Sequence, residues 1–182
     1  MEQVVIDADP RWPRQFEEVA AYLTPFLAGE VIRIEHVGST SVPGLAAKPI
    51  IDLDVVVSRE EAVADAISRI ESAGYRWMGD LDVAGREAFE APDAPPLPPH
   101  HLYLVVENNR AHCDHWLFRD SLIEYPELRD RYSAVKRENA LLARGDVDRY
   151  VALKAAFVAQ VLTVARRERS MPAVTYWEPD LG

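Results

Sequence analysis

Asp52 and Asp54 are the residues of this sequence whose types and spacing best suit metal chemistry. They lie in the apolar run Ile50 to Val57, which predicts a buried strand, and alternate residues of a strand share one face. Two carboxylates on one face of a buried strand are unfavourable unless a cation lies against them. Mg²⁺ or Mn²⁺ would fit, because these cations bind oxygen and Mg²⁺ commonly bridges carboxylates to phosphates. The alternative is a strand end with both carboxylates at the solvated rim, which the flanking isoleucines and valines disfavour.

A turn rich in glycine and hydroxyl groups, Gly38-Ser39-Thr40, precedes this strand. Backbone N–H groups and hydroxyls in such turns bind phosphate. The alternative is an ordinary turn, with Gly38 chosen for positive φ and Ser41 capping a short helix over residues 42–48. The nearby aspartates favour phosphate binding. Lys48 lies directly before the aspartate strand, where it would neutralise a phosphate, pair with Asp52 or remain at the surface.

The spacing of these residues resembles a known pattern. Gly38 and Ser39, then twelve residues, then Asp52-x-Asp54 resemble the nucleotidyltransferase fold of the polymerase-β superfamily. The longer stretch HVGSTSVPGLAAKPIIDLDVVV resembles the GrpB family of bacterial proteins. Further matches, from residue 12 to residue 161, are Gly85-Arg86 with Phe89, His100-His101-Leu102, His115-Trp116-Leu117-Phe118-Arg119-Asp120, Tyr132 with Lys136, and Tyr150 with Lys154.

The resemblance implies transfer of a nucleoside monophosphate, with AMP from ATP as the expected case, to a small hydroxyl, amine or phosphate acceptor. In that scheme Mg²⁺ on the two aspartates bridges the triphosphate. The residues expected to bind the nucleotide and its phosphates are Gly38, Ser39, Thr40, Lys48, Arg86 and Arg119. The neighbouring Asp120 is not expected to pair with Arg119, because adjacent residues of a helix do not face each other.

Active members of the superfamily usually carry a third carboxylate on a neighbouring strand, and the corresponding segment here, His101 to Val106, contains none. Glu87 or Glu90 would substitute if their strand lies alongside. His101 is the other candidate for the catalytic base, because imidazole titrates near neutral pH. The alternative function is a catalytically inactive nucleotide- or protein-binding module. GrpB-like domains also occur fused to dephospho-CoA kinase, so a chaperone-like role for such a partner is the specific form of this alternative.

Hydrophobic periodicity predicts an α+β fold, in which a small mixed β-sheet has helices packed on one face and is followed by a C-terminal helical bundle. Strands are expected at 31–36, 50–57, 75–78, 86–90 and 101–106, and Val4 to Ile6 is expected to form an edge strand or an arm. Helices are expected at 11–28, 59–73, 111–123, 126–143 and 147–168. The predicted organisation is a nucleotidyltransferase-like core at 1–109, a helical subdomain at 110–169 and an irregular tail at 170–182.

Composition narrows the classes of partner. The formal net charge of −10 makes nucleic-acid binding unlikely, although residues 129–169 alone carry ten basic and five acidic residues. The single cysteine, Cys113, excludes an intrachain disulfide. The first residues do not resemble a signal peptide and no apolar run is long enough to span a membrane, so the expected location is the cytoplasm.

His112 and His115 share a helix face, as zinc ligands would, but no third ligand accompanies them.

Overall fold

A five-stranded mixed sheet forms the centre of the computed structural model, which describes residues 5–27, 29, 31–144 and 146–176. The strands are β1 (Val31–Val37), β2 (Ile51–Val57), β3 (Arg76–Trp77), β4 (Arg86–Glu90) and β5 (His100–Val106), in the spatial order β1-β2-β5-β4-β3. β2 pairs parallel with β5 and antiparallel with β1, while β4 is antiparallel to both β5 and β3. The aspartate strand is therefore central, with a neighbour on each side.

In the described part of the chain, five α-helices accompany the sheet: α1 (Trp12–Leu23), α2 (Val63–Ser72), α3 (Arg110–Glu124), α4 (Pro126–Ala143) and α5 (Val147–Glu168). α1 and α2 pack on one face of the sheet, against buried side chains that include Leu53 and Leu102. Burial of each such side chain stabilises the fold by about 1.5–3 kcal/mol. α3 contacts the other face through Ala111, and α4 and α5 pack against α3 and each other. The predicted α+β class, with a helical C-terminal part, is confirmed.

The segment between β1 and β2 differs from the prediction. The short helix expected over residues 42–48 is absent, and one 3₁₀ turn, Ser39–Ser41, is followed by irregular chain. Pro43 and Gly44 interrupt this stretch, and Gly44 has φ +81°, outside the helical region. Ser41 does not cap a helix, because its hydroxyl donates to the carbonyl of Gly38 at 2.6 Å.

Other boundaries follow local chemistry. α1 ends at Leu23, earlier than the predicted residue 28, where Pro25 interrupts the helix; Ala28 lies outside the described residues. Ile6 forms one antiparallel bridge with Ala47, and Val4 is not among the described residues. The proline-rich segment 91–99 is an irregular connection between β4 and β5. In the described ranges, no helix combines the length and the apolar character that crossing a membrane requires.

Candidate functional site

The strand register places both aspartates on one face of the sheet, as strand alternation predicts. Asp52 lies opposite His101 on β5, and Asp54 lies opposite Tyr103 on β5. On the other side Asp54 faces Glu35 of β1. Leu53, between the aspartates, points into the core formed with α1 and α2. The two carboxylates therefore occupy the face that the C-terminal helices approach.

Each aspartate is paired with a histidine. Nδ1 of His101, a half-exposed side chain, lies 3.0 Å from Oδ1 of Asp52. Asp54 is fully buried, and its two oxygens lie 2.8 and 3.0 Å from Nδ1 of His115 on α3. Burial lowers the pKa of His115, but the hydrogen bond and the charge of Asp54 outweigh burial, and the pKa is raised overall.

These contacts determine which ring nitrogen of His101 is available. A carboxylate only accepts hydrogen bonds, so Nδ1 of His101 must carry the hydrogen that points at Asp52. The Nε2 atom of the neutral ring is then left as a proton acceptor. An imidazole oriented by a carboxylate in this way is suited to act as a general base.

The Gly38 turn contacts Asp52 directly. Gly38 has φ +68°, and a Cβ atom built on it would lie 2.2 Å from Oδ2 of Asp52 and 2.8 Å from its Cβ. Only glycine therefore allows the turn to approach the carboxylate this closely. Ser39 hydrogen-bonds to Tyr132 of α4. The buried Thr40 uses its hydroxyl to contact Nε2 of His36 at 3.0 Å, so it also has a partner within the fold.

Lys154 on α5 lies within electrostatic reach of the other two lysines of the sequence, Lys48 and Lys136 on α4. The Nζ atoms of Lys48 and Lys154 lie 4.3 and 5.7 Å from the centre of the Tyr150 ring. The charge of Lys154 contributes to lowering the pKa of both other lysines, after burial, which is the larger cause. The charge of Asp52 acts in the opposite direction on Lys136 and Lys154. We call these three residues the lysine cluster.

Lys136 is the most unusual member of the lysine cluster. Its side chain is 3% exposed, and its Nζ atom has no hydrogen-bond partner among the residues that the structure describes. Burial lowers its pKa to about 7, with a further contribution from Lys154. Nδ2 of Asn139, three residues later on the same buried helix face, is likewise without a partner in this part of the chain. Two buried donors without acceptors indicate a place for a ligand rich in acceptor oxygens.

The two predicted arginines have different surroundings. The guanidinium of Arg86 lies over the Tyr103 ring, 4.3 Å from its centre, and its Nε atom is buried without a described partner. Arg119 donates to the carbonyl of His36 at 3.1 Å and, contrary to expectation, to Asp120 at 2.7 Å, because its long side chain turns back along the helix. A role for either arginine in phosphate binding stays a prediction.

A third carboxylate does lie on this face, but it is not one of the expected residues. Glu87 accepts from the indole of Trp77, and Glu90 pairs with Arg76, both at the exposed edge of the sheet. Glu35 is the carboxylate that lies directly opposite Asp54.

The surroundings of Glu35 keep its carboxylate ionised and hydrogen-bonded. The hydrogen bond from His112 is the largest cause that lowers the pKa of Glu35 to about 2; burial opposes it, and Arg33 adds to the lowering. His112 therefore pairs with Glu35, while His115 pairs with Asp54. Within the described ranges, no group of three or more histidines, cysteines or acidic residues is arranged to hold a metal ion. The zinc arrangement considered for His112 and His115 therefore does not form.

The donor set at the two aspartates suits a divalent cation completed by ligand oxygens. In the described part of the chain their ion-pair partners are histidines, not arginines or lysines. Asp52 retains 26% side-chain exposure and its Oδ2 atom adjoins the Gly38 turn. Mg²⁺ typically binds one or two carboxylates, with water and substrate phosphates as its other ligands. Asp52 and Asp54 are therefore the residues that would hold it.

Sequence reasoning did not assign Lys136 or Lys154 to the site, although both lie within matches to the family pattern. A signal was present for Lys154, because it shares a helix face with Val151, Val158 and Val161. A second signal is composition, since the chain has seventeen arginines and only three lysines, all of which meet here. Glu35 offered no comparable signal, because its position opposite Asp54 depends on the register of β1.

Comparison with known proteins finds relatives that match most of this chain. UPF0157 protein YqkA of Bacillus subtilis is 32% identical over 147 residues, which are 81% of this chain and 42% of that protein. Dephospho-CoA kinase of Mycolicibacterium paratuberculosis is 29% identical over 96% of this chain and 48% of the kinase. The chain thus spans less than half the length of these two relatives.

A solved structure shows the same fold. The crystal structure of the conserved protein GrpB from Enterococcus faecalis superposes with a TM-score of 0.79 at 33% identity, covering 92% of this chain and 99% of that one. The family model described as GrpB protein matches residues 3–163. The chain is therefore a member of the GrpB family.

Proposed function

We propose that this protein transfers a nucleotidyl group from a nucleoside triphosphate, with ATP as the expected donor, to a small acceptor. The observation that carries the proposal is the buried Nζ atom of Lys136, which lies 4.5 Å from the centre of the Tyr132 ring but has no hydrogen-bond partner among the described residues, in a cluster of lysines that Asp52 influences. A buried ammonium without a counter-ion is costly, and a bound phosphate chain would supply its missing acceptors.

The phosphate chain would lie between the lysine cluster and the Gly38 turn. The lysines would supply positive charge, and the 3₁₀ turn Ser39–Ser41, which follows the Gly38 that adjoins Asp52, would supply backbone N–H groups. Mg²⁺ held by Asp52 and Asp54 would neutralise the remaining charge on the phosphates. In this proposal the α-phosphorus of the triphosphate would face His101.

His101 would serve as the general base. In the proposed reaction an acceptor hydroxyl or amine attacks the α-phosphorus, and its proton moves to Nε2 of His101. The bond from the α-phosphorus to the bridging oxygen breaks, and pyrophosphate leaves. Asp52 keeps the ring oriented through Nδ1 and stabilises the imidazolium that forms. A histidine would then do the work that a third carboxylate does in related active sites.

The test is a transfer assay with ATP labelled at the α-phosphate, Mg²⁺ and a panel of hydroxyl, amine and phosphate acceptors. We expect labelled product and an equal amount of pyrophosphate, both lost in Asp52→Asn. A wild-type protein that binds ATP tightly but releases no pyrophosphate with any acceptor would contradict transfer.

The alternative is a nucleotide- or protein-binding module without catalysis, which is favoured by one observation, the similarity to a dephospho-CoA kinase. In that case the chain would assist the folding of such a kinase. Refolding yield of the kinase with and without this protein tests the alternative separately. An increased yield that persists in Asp52→Asn would favour the assisting role.

A further inference from the structure

A cavity lies on the surface of α5, where one member of the lysine cluster, Lys154, forms part of its wall. Its volume is about 200 Å³, and it is lined by Val151, Lys154, Ala155, Val158, Ala159 and Tyr176. The walls are aliphatic except for the stem and ammonium of Lys154 and the ring of Tyr176. Lys154 therefore belongs both to this cavity and to the group of charges around Asp52.

Tyr176 is held firmly, although it lies in the irregular segment after α5. Its hydroxyl donates to Asp114 at 2.7 Å and accepts from Nε of Arg166 at 2.7 Å. Arg166 is 5% exposed and also pairs with Asp114 at 2.7 Å. Arg110 donates to the carbonyl of Thr175 at 3.3 Å.

Burial is the largest cause that raises the pKa of Tyr176, to about 12, so the phenol is neutral at physiological pH. The ring is thus a neutral aromatic surface of fixed orientation at the edge of the cavity. Hydrophobic packing alone would be enough to attach the tail to α5. Here the hydroxyl of Tyr176 also shares hydrogen bonds with the buried Arg166–Asp114 pair, which fixes the orientation of the ring.

We propose that this cavity receives the base of the nucleoside triphosphate, stacked on Tyr176. The inference rests on the proposed function, since it assumes that the phosphates lie at the lysine cluster. Lys154 connects the two places, because it lines the cavity with Tyr176 and also belongs to the lysine cluster. A heterocyclic base has flat faces of low polarity, which match an aliphatic wall and an aromatic ring.

The cavity wall also limits how selective the base site is. Among the described residues that line it, only Lys154 and Tyr176 carry polar side-chain groups, and the hydroxyl of Tyr176 is already bonded to Asp114 and Arg166. Recognition is therefore by stacking rather than by hydrogen bonds to the base edge. ATP and GTP should bind with similar affinities, and both should bind more tightly than inorganic tripolyphosphate.

The experiment is isothermal titration of the full chain with ATP, GTP and tripolyphosphate in the presence of Mg²⁺. Tyr176→Ala should weaken ATP and GTP by about 5- to 150-fold, the range expected for loss of one base–aromatic stack. The affinity for tripolyphosphate should stay the same. Val174→Ala, in the same segment but outside the cavity, is the matched control and should leave all three affinities unchanged.

A second variant separates the loss of the aromatic ring from disorder of the tail, either of which would weaken binding in Tyr176→Ala. Tyr176→Phe keeps the ring and should retain most of the preference for ATP over tripolyphosphate. Equal wild-type affinities for ATP and tripolyphosphate, or an unchanged ratio in Tyr176→Ala, would overturn the base site while leaving the phosphate site intact. Failure of all three ligands to bind the wild type would overturn both proposals.

Discussion

The carboxylate of Asp52 lies so close to Gly38 that a Cβ atom on Gly38 would come within 2.2 Å of Oδ2 and 2.8 Å of Cγ. Gly38 also adopts φ +68°, which side chains other than glycine rarely tolerate. The turn and the aspartate strand therefore meet at a contact that no other residue would allow, and the position of Asp52 depends on it.

Gly38→Ala should destabilise the fold and displace Asp52. Strain from positive φ and from the clash together should lower the free energy of unfolding by about 2–4 kcal/mol. Gly79→Ala is the matched control, because Gly79 has φ +74° with no atom within 4 Å of its added Cβ. It should lose only about 1 kcal/mol, the cost of the backbone conformation. Chemical unfolding of both variants measures the difference, and equal losses would show that the contact with Asp52 is unimportant.

Local patterns predicted the aspartate strand correctly because a strand repeats every two residues. The apolar run from Ile50 to Val57 identified the strand, and alternation placed Asp52 and Asp54 on the same face. The partners of the aspartates were less accessible to sequence reasoning. The contacts of Asp52 with His101 and of Asp54 with His115 join residues 49 and 61 positions apart, and sheet order and helix packing decide them.

The segment between the turn and the strand was predicted wrongly because local propensity was given too much weight. Seven residues were long enough for a short helix, but Pro43 and Gly44 lie in its middle. The lysine cluster was overlooked for a different reason. A lysine on an apolar helix face is usually assumed to extend to solvent, and only the packing of α4 against the site shows that Lys136 is buried.

Acid should destabilise the protein through His36. Burial is the largest cause that lowers the pKa of His36 to about 4, so the folded ring stays neutral while the unfolded ring protonates near pH 6.5. Its contribution to stability is thus present above pH 6.5 and is lost as pH falls through 4. His36→Phe keeps the stack on Phe16 and should remove about 1–3 kcal/mol of this pH dependence. Urea unfolding between pH 4 and 7 measures it; identical pH slopes in the variant and the wild type would contradict the assignment.

Lys136→Met should stabilise the ligand-free protein. The pKa of Lys136 is about 7 in the fold and near 10.4 in an unfolded chain, so its burial costs most at low pH and the cost fades between pH 7 and 10. Methionine removes the buried amine and should raise the free energy of unfolding at pH 7 by about 1–4 kcal/mol. Lys48→Met, at a less buried position, should change it less. A destabilised Lys136→Met variant would mean that the ammonium already has a partner in the fold.

His101→Gln should separate catalysis from binding. Loss of a general base lowers the turnover rate by about 10²- to 10⁴-fold, whereas the lysine cluster and its affinity for tripolyphosphate should be unaffected. A turnover rate in His101→Gln equal to that of the wild type would assign the base to another group.

The most direct test of the central claim is calorimetric titration of the wild-type protein with tripolyphosphate at pH 8, in two buffers of different ionisation enthalpy. A bound polyphosphate at the lysine cluster should restore the proton of Lys136, so binding should take up about one proton. Lys136→Met should bind more weakly and take up less. No binding at millimolar tripolyphosphate, or binding with no proton uptake in the wild type, would contradict the claim that this cluster is a phosphate site.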